Sequence, residues 1–263
     1  MRVIGCSGFV LLNRAFSETS WIVELFTRDY GRFAVIAKGA RRLKSKQRGL
    51  LLPFQPLRLS WSGKGELPTL TQVEMDTGRF VGWQQELSGS ARLCGFYCNE
   101  LLASLMQRGD PHPALFDVYD QTITHLTRLS ASATKWQESH LLRRFELALI
   151  KESGYGVSFT HDAHSQRPFE DDVWYEFVPS KGFVKRYQRP NEAADGCFSG
   201  RALKDFQSAF SVASSNDVID AAVDRDEGAR SATAKRLTRV LLSDLLGHKR
   251  IVSRDLFIPI MVD

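Results

Sequence analysis

The chain has 263 residues, 43% of them apolar and 25% charged, with 35 Lys/Arg against 30 Asp/Glu. This composition supports a sizeable folded core and excludes a disordered chain, and no apolar run approaches the roughly 20 residues of a membrane span. Cys6, Cys94, Cys98 and Cys197 are too few and too scattered for a disulfide scaffold, and the apolar patch at residues 9–12 is too brief for a secretory signal, so a cytoplasmic protein is expected.

The charge is unevenly spread. Residues 1–60 carry eleven basic and three acidic side chains, residues 61–229 seventeen against twenty-four, and residues 230–263 seven against three. Between Tyr30 and Gly65 there are nine cations and no acid. Such a field favours a polyanionic partner at one end of the molecule.

The amino-terminal part reads as short strands. Residues 8–13, Trp21–Thr27, 32–38, 57–61 and 69–73 are β-prone, and turns at Asp29-Tyr30-Gly31 and Gly63-Lys64-Gly65 separate two of the pairs. Five strands in about eighty residues fit a small Greek-key barrel of the OB type, with an SH3-like barrel leaving much the same trace. Beyond residue 80 the period becomes helical. Leu87, Ala91, Cys94, Cys98, Leu101 and Leu105 form one stripe, and Phe116, Tyr119, Ile123 and Leu126 a second. Leu141, Leu142, Phe145, Ala148 and Leu149 form a third, with Gly154 placed to stop that helix. Residues 155–195 turn polar and β-prone, with Val173, Trp174, Phe177, Val178 and Phe183 as a candidate small core. Ser199 is placed to cap a helix burying Leu203, Phe206 and Phe210, and a last helix spans about 231–246 before Gly247. The expected fold class is α+β: an OB-type barrel over 1–80, a helical domain over 81–154 and 198–263, and a small β-rich insertion over 155–197.

No phosphate-cradling loop, no dinucleotide fingerprint, no H-E-x-x-H and no nucleophile elbow occur, so an enzyme is not expected. Lys38, Arg41, Arg42, Lys44, Lys46 and Arg48 place six cations in eleven residues between two strands of the expected barrel. Repelling charges crowded on one loop suit a polyanion, and nucleic-acid phosphate is a natural one. Arg32 on the preceding strand joins this set, and Phe33, Phe54 and Trp61 are candidates for stacking on unpaired bases. With no base-reading module present, binding should be largely independent of sequence.

His161-Asp162-Ala163-His164 with Asp171 and Asp172 could suggest a metal, but no cysteine lies between Cys98 and Cys197. Neither a metal nor another cofactor is expected. Arg143 and Arg144 on an apolar helix beside Leu142 and Phe145 could rim a pocket for a peptide ending in an apolar residue and a carboxylate. Lys235, Arg236, Arg239, Lys249, Arg250 and Arg254 form a second basic group.

Several of these segments together resemble the RecO family of recombinational DNA repair proteins. They are Phe16-Ser17-Glu18-Thr19-Ser20, Leu25-Phe26-Thr27, Gly31-Arg32, Ala37-Lys38-Gly39-Ala40-Arg41-Arg42 and Pro53-Phe54-Gln55-Pro56-Leu57. Further along come Asn99-Glu100-Leu101-Leu102, Arg143-Arg144-Phe145-Glu146-Leu147-Ala148-Leu149, Gly154-Tyr155-Gly156, Leu246-Gly247, Lys249 and Ser253-Arg254-Asp255-Leu256-Phe257. The resemblance implies an OB-fold domain, a helical domain and a zinc-ribbon-like insertion. It further implies a mediator that binds single- and double-stranded DNA, anneals complementary strands and contacts the acidic tail of single-stranded-DNA-binding protein (SSB). Its implied partners are RecR and often RecF, with which it loads RecA onto SSB-coated DNA, and the Arg143–Arg144 pocket would take the tail. Relatives with zinc carry cysteine pairs in the insertion, whereas Asp162 and Ser165 stand where the first pair would lie. Two other classes share features of the sequence: an OB-type RNA-binding adaptor, and a nuclease built on Asp171 and Asp172.

Overall fold

The structure, a computed structural model, describes residues 2–78, 87, 89–129, 135–187, 196–211 and 227–256. In chain order the first elements are β1 (Arg2–Ala15), β2 (Trp21–Thr27), β3 (Gly31–Ala37), α1 (Lys46–Leu50), β4 (Leu57–Ser62) and β5 (Thr69–Met75). There follow α2 (Gly89–Leu105), α3 (Pro113–Leu129), α4 (Lys135–Glu152), β6 (Trp174–Val178), β7 (Gly182–Arg186) and β8 (Cys197–Ser199). The last are α5 (Gly200–Ser211), α6 (Glu227–Leu246) and α7 (Val252–Leu256). They fall into two compact units, Met1–Ser132 with Arg250–Asp263, and Ala133–Lys249.

In the first unit five strands close a barrel in the order β1-β2-β3-β5-β4. The parallel pairing of β3 with β5 and the antiparallel pairing of β1 with both β2 and β4 are OB topology, which decides against the SH3-like alternative. The first strand is longer than the expected 8–13. It runs 14 residues because its first half pairs with β4 and its second with β2, and its register shifts between Val3 and Cys6 and again between Val10 and Leu12. Gly8 lies where these pairings meet. A Cβ there would come within 2.8 Å of both Leu59 and Thr27, closer than side chains pack.

Val10, Val23, Leu25, Val35, Leu59 and Trp61 lie in the barrel core. Alternation sends Phe9 and Phe26 to the opposite face, where their rings pack on Phe116 and Tyr119 of α3 at centroid distances of 5.1–5.9 Å. The strands are thus covered on two faces, which is why most of β2 is buried. A buried relay ties the helices to the barrel: Tyr119 Oη donates to Asn99 Oδ1 (2.6 Å) and Asn99 Nδ2 to the Leu11 carbonyl (2.9 Å). The adjacent Glu100 carboxylate accepts from the backbone N–H groups of Val252 (2.7 Å) and Ser253 (2.8 Å), holding the start of α7 against α2. Helices α2, α3 and α7 therefore fall in the same compact unit as the barrel.

The second unit pairs α4 with α6 and adds a three-stranded sheet in the order β7-β6-β8. Helix α4 ends as its glycine predicts: Gly154 has φ 78°, and Tyr155 N–H reaches back to the Ile150 carbonyl (3.3 Å). Ser199 Oγ accepts from Ala202 N–H (3.2 Å), the cap expected for α5. The insertion core differs from the expected set. Tyr175, Phe177 and Phe183 are buried together with Phe169 and Phe198, whereas Val173, Trp174 and Val178 are only half-buried. Alternation along β6 aims Tyr175 and Phe177 at one face and Trp174 and Val178 at the other.

Candidate nucleic-acid interface

The segment linking β3 to β4 is a folded arm. Its ends are fixed by Ala37, Ala40 and Leu51, all fully buried in the barrel core, and Gly39 (φ 72°) provides the turn out of β3. Successive turn bonds, Arg42 N–H to Gly39 (3.1 Å), Ser45 N–H to Arg42 (3.0 Å) and Arg48 N–H to Ser45 (3.2 Å), lead into the five-residue helix α1. Arg41 fastens the arm to the β1–β2 turn. Its N–H donates to the Thr19 carbonyl (3.0 Å) and its guanidinium to the carbonyl of Ser17.

Lys38, Arg41, Arg42, Lys44, Lys46 and Arg48 are all exposed, and among the described residues none forms an ion pair with a carboxylate. Leu43, at the tip, is 89% exposed, and Phe16, in the adjoining turn, 55%. Neither is among the contacts expected from the sequence, although an aromatic residue heading the polar turn Ser17-Glu18-Thr19 is an available signal.

Arg32 is placed otherwise. Its guanidinium donates to Glu24 Oε1 (2.7 Å) and to the Met106 carbonyl (3.0 Å). Glu24, only 1% exposed, also accepts two bonds from Arg108 (2.7 and 3.2 Å) and lies 4.0 Å from Arg14. Burial lowers the Arg32 pKa against the pull of Glu24, while the better exposed Arg108 is raised by its bond to the same carboxylate. Arg32 thus anchors β3 to β2 and to the end of α2, which corrects its expected place among the DNA contacts. Two expected stacking rings are corrected likewise. Trp61 lies in the barrel core against Tyr30 and Phe33, and Phe54 is packed on Phe96 and under Gly95, where a Cβ would approach its ring to 2.7 Å. Phe33 is half-buried.

In the second unit Leu142, Arg143 and Phe145 are buried, which corrects the expectation of a cation-rimmed pocket open on that helix. Arg143 donates to Glu146 Oε1 (2.8 Å) and to Thr238 Oγ1 (3.0 Å), so it joins α4 to α6. Arg144 is half-buried, and burial lowers its pKa.

The second basic group is divided between the two units. Lys235, Arg236, Arg239 and Lys249 belong to one, Arg250 and Arg254 to the other. Arg236 bonds the Cys197 carbonyl (2.7 Å) and lies 4.6 Å over the Phe198 ring, and Arg254 bonds Tyr97 Oη (3.2 Å). Arg250 pairs with Asp255 (2.7 Å). Lys235, Arg239 and Lys249 remain exposed.

Among the described residues no cluster of three or more His, Cys, Asp or Glu could hold a metal. Asp162 uses its carboxylate internally: Oδ1 accepts from the N–H groups of His164 (2.6 Å) and Ser165 (3.1 Å), and Oδ2 from that of Lys185 (3.1 Å). Burial would raise its pKa, but these three donors together hold it below the ordinary carboxylate value. Asp171 is paired with Lys204 (2.8 Å) and Arg201 (3.8 Å). All four cysteines are buried, and none is in a disulfide. No helix among the described residues is long and apolar enough to cross a membrane.

Residues 1–78 match the family described as Recombination protein O N terminal, and residues 88–216 the one described as Recombination protein O C terminal. The DNA repair protein RecO of Pseudoalteromonas atlantica is 38% identical over 251 residues, covering 95% of this chain and 92% of that protein. That of Azoarcus sp. is 39% identical over 250 residues, covering 94% and 92%, and that of Haemophilus influenzae 39% over 250 residues, covering 95% and 94%. An OB-type barrel followed by helices, in an α+β chain with these relatives, defines a protein of recombinational DNA repair. Within that class the chain belongs to the RecO family.

Proposed function

We propose that the chain is a non-enzymatic recombination mediator. It binds single- and double-stranded DNA through the arm, anneals complementary strands, and with RecR helps load RecA onto SSB-coated DNA in the cytoplasm, at the nucleoid. RecF and the acidic tail of SSB are further proposed partners, the tail docking without Leu142, Arg143 and Phe145, which are interior. The observation that carries the reading is the arm, with six exposed cations free of carboxylate partners among the described residues. Annealing needs two polyanions brought together with their repulsion screened, a task that calls for no nucleotide and no covalent step.

The test is annealing of SSB-coated complementary strands without ATP, combined with a salt series for single-strand binding. If all six cations contact phosphates, the log–log slope should be about −4, from roughly −0.7 per contact. Neutralising Arg41, Arg42, Lys44 and Lys46 together should flatten it by about 3 and abolish annealing. An unchanged slope in that variant would refute the arm as the binding element, and ATP hydrolysis by the pure protein would refute the non-enzymatic reading.

A further inference from the structure

The arm and the turn beside it combine charge with exposed apolar surface. Folding buries apolar side chains where it can, yet Leu43 at 89% and Phe16 at 55% are the two most exposed large apolar residues of the arm and the turn, ahead of Leu52 at 43%. Either alone would be unremarkable on a protein surface. Their setting gives them meaning. Leu43 lies between Arg42 and Lys44 at the tip of the arm, and Phe16 immediately precedes Ser17, whose carbonyl holds the Arg41 guanidinium. Arg14, two residues before Phe16 on β1, is also exposed.

The turn itself is ordered, with Phe16 N–H and Ser17 N–H both directed to the Ser20 carbonyl (3.1 and 3.4 Å). The ring is therefore presented from a fixed backbone, which lowers the entropy lost on contact. The bases of a duplex are stacked on one another and hidden from such a ring. Those of a single strand have free faces, and a phosphate held by a cation brings the attached base within reach of a neighbouring ring.

We propose that Phe16 and Leu43 take the unstacked bases of a single strand whose phosphates the arm holds, so that this end of the barrel prefers single-stranded to duplex DNA. The proposal rests on the arm reading given under Proposed function and adds the apolar contacts that discriminate between the two forms.

The experiment compares Phe16→Ala, Phe16→Leu and Leu43→Ala with the unaltered full chain. An oligo-dT strand and a hairpin duplex of equal length are titrated by fluorescence anisotropy over a salt series. Phe16→Ala should weaken binding to the strand about tenfold and to the duplex less than twofold, since stacking on one ring is worth roughly 1–3 kcal/mol per base. Leu43→Ala should act in the same direction and more weakly, and Phe16→Leu should recover part of the loss. The salt slope should stay the same in all three because no charge is removed. Both residues are exposed, so the melting temperature should not change. Equal weakening on strand and duplex, or none on either, would overturn the proposal while a steep slope in the unaltered chain left the arm reading standing. A flat slope in the unaltered chain would remove both.

Discussion

Replacing Glu24 with Gln should destabilise the protein without touching DNA binding. The carboxylate is 1% exposed and accepts from Arg32 (2.7 Å) and Arg108 (2.7 and 3.2 Å), with Arg14 at 4.0 Å. Gln keeps the shape but removes the charge, turning an amide N–H₂ toward guanidinium groups that are themselves donors only. Breaking a buried pair from one side costs about 3–5 kcal/mol. Arg32 is 16% exposed and keeps its bond to the Met106 carbonyl, which favours the lower figure, and the exposed ends at Arg108 (55%) and Arg14 (64%) add little. A loss of about 3 kcal/mol should lower the melting temperature by roughly 6–12 °C, at about 2–4 °C per kcal/mol for a chain of this size. Calorimetry measures this directly. In the companion variant Arg32→Gln, the salt slope for single-strand binding should match that of the unaltered protein. Refutation would be a melting temperature unchanged in Glu24→Gln, or a slope flattened by about 0.7 in Arg32→Gln, which would make Arg32 a phosphate contact after all.

Asp162→Ala should loosen the loop that joins residues 160–169 to β7, since it removes three charge-assisted bonds, each worth about 1.5–3 kcal/mol but not additive. Hydrogen exchange at the amides of Ser165 and Lys185 should accelerate at neutral pH, and unchanged protection would show that the carboxylate is dispensable. Because the folded carboxyl is held below its usual value, its contribution is complete above about pH 4 and is lost as pH falls through the lower, folded pKa. The acid limb of the stability curve should therefore flatten in the variant, and a limb identical to that of the unaltered protein would contradict the assignment. Arg143→Ala should cost about 1.5–3 kcal/mol by removing its bonds to Glu146 and Thr238, which join α4 to α6. Binding of an SSB-tail peptide lost with the fold intact would instead restore Arg143 to a docking surface.

The sequence by itself determined what depends on neighbours along the chain. Strand alternation, the helical stripes, the Ser199 cap, the Gly154 stop and the six-cation arm are local patterns of polarity and backbone freedom, and each is legible in the order of residues alone. The tertiary structure decided what each local pattern faces. Phe9 and Phe26 read as strand residues of unspecified side, and only closure of the barrel with α3 packed outside it gives their face a partner. Trp61 reads as a stacking ring because a flat sequence does not reveal which side of a strand becomes the interior, and Phe54, in the turn before β4, because nothing local to it shows that Gly95 and Phe96 of α2 will cover it. Arg32 and Arg143 read as surface cations for a similar reason. Their partners Glu24 and Thr238 lie 8 and 95 residues away, and a cation becomes structural only when the fold brings an acceptor to it and shuts out water. Phe16 and Leu43 are the converse. Their apolar character predicts burial, and it is the geometry of an arm tied back to a turn that leaves them facing solvent.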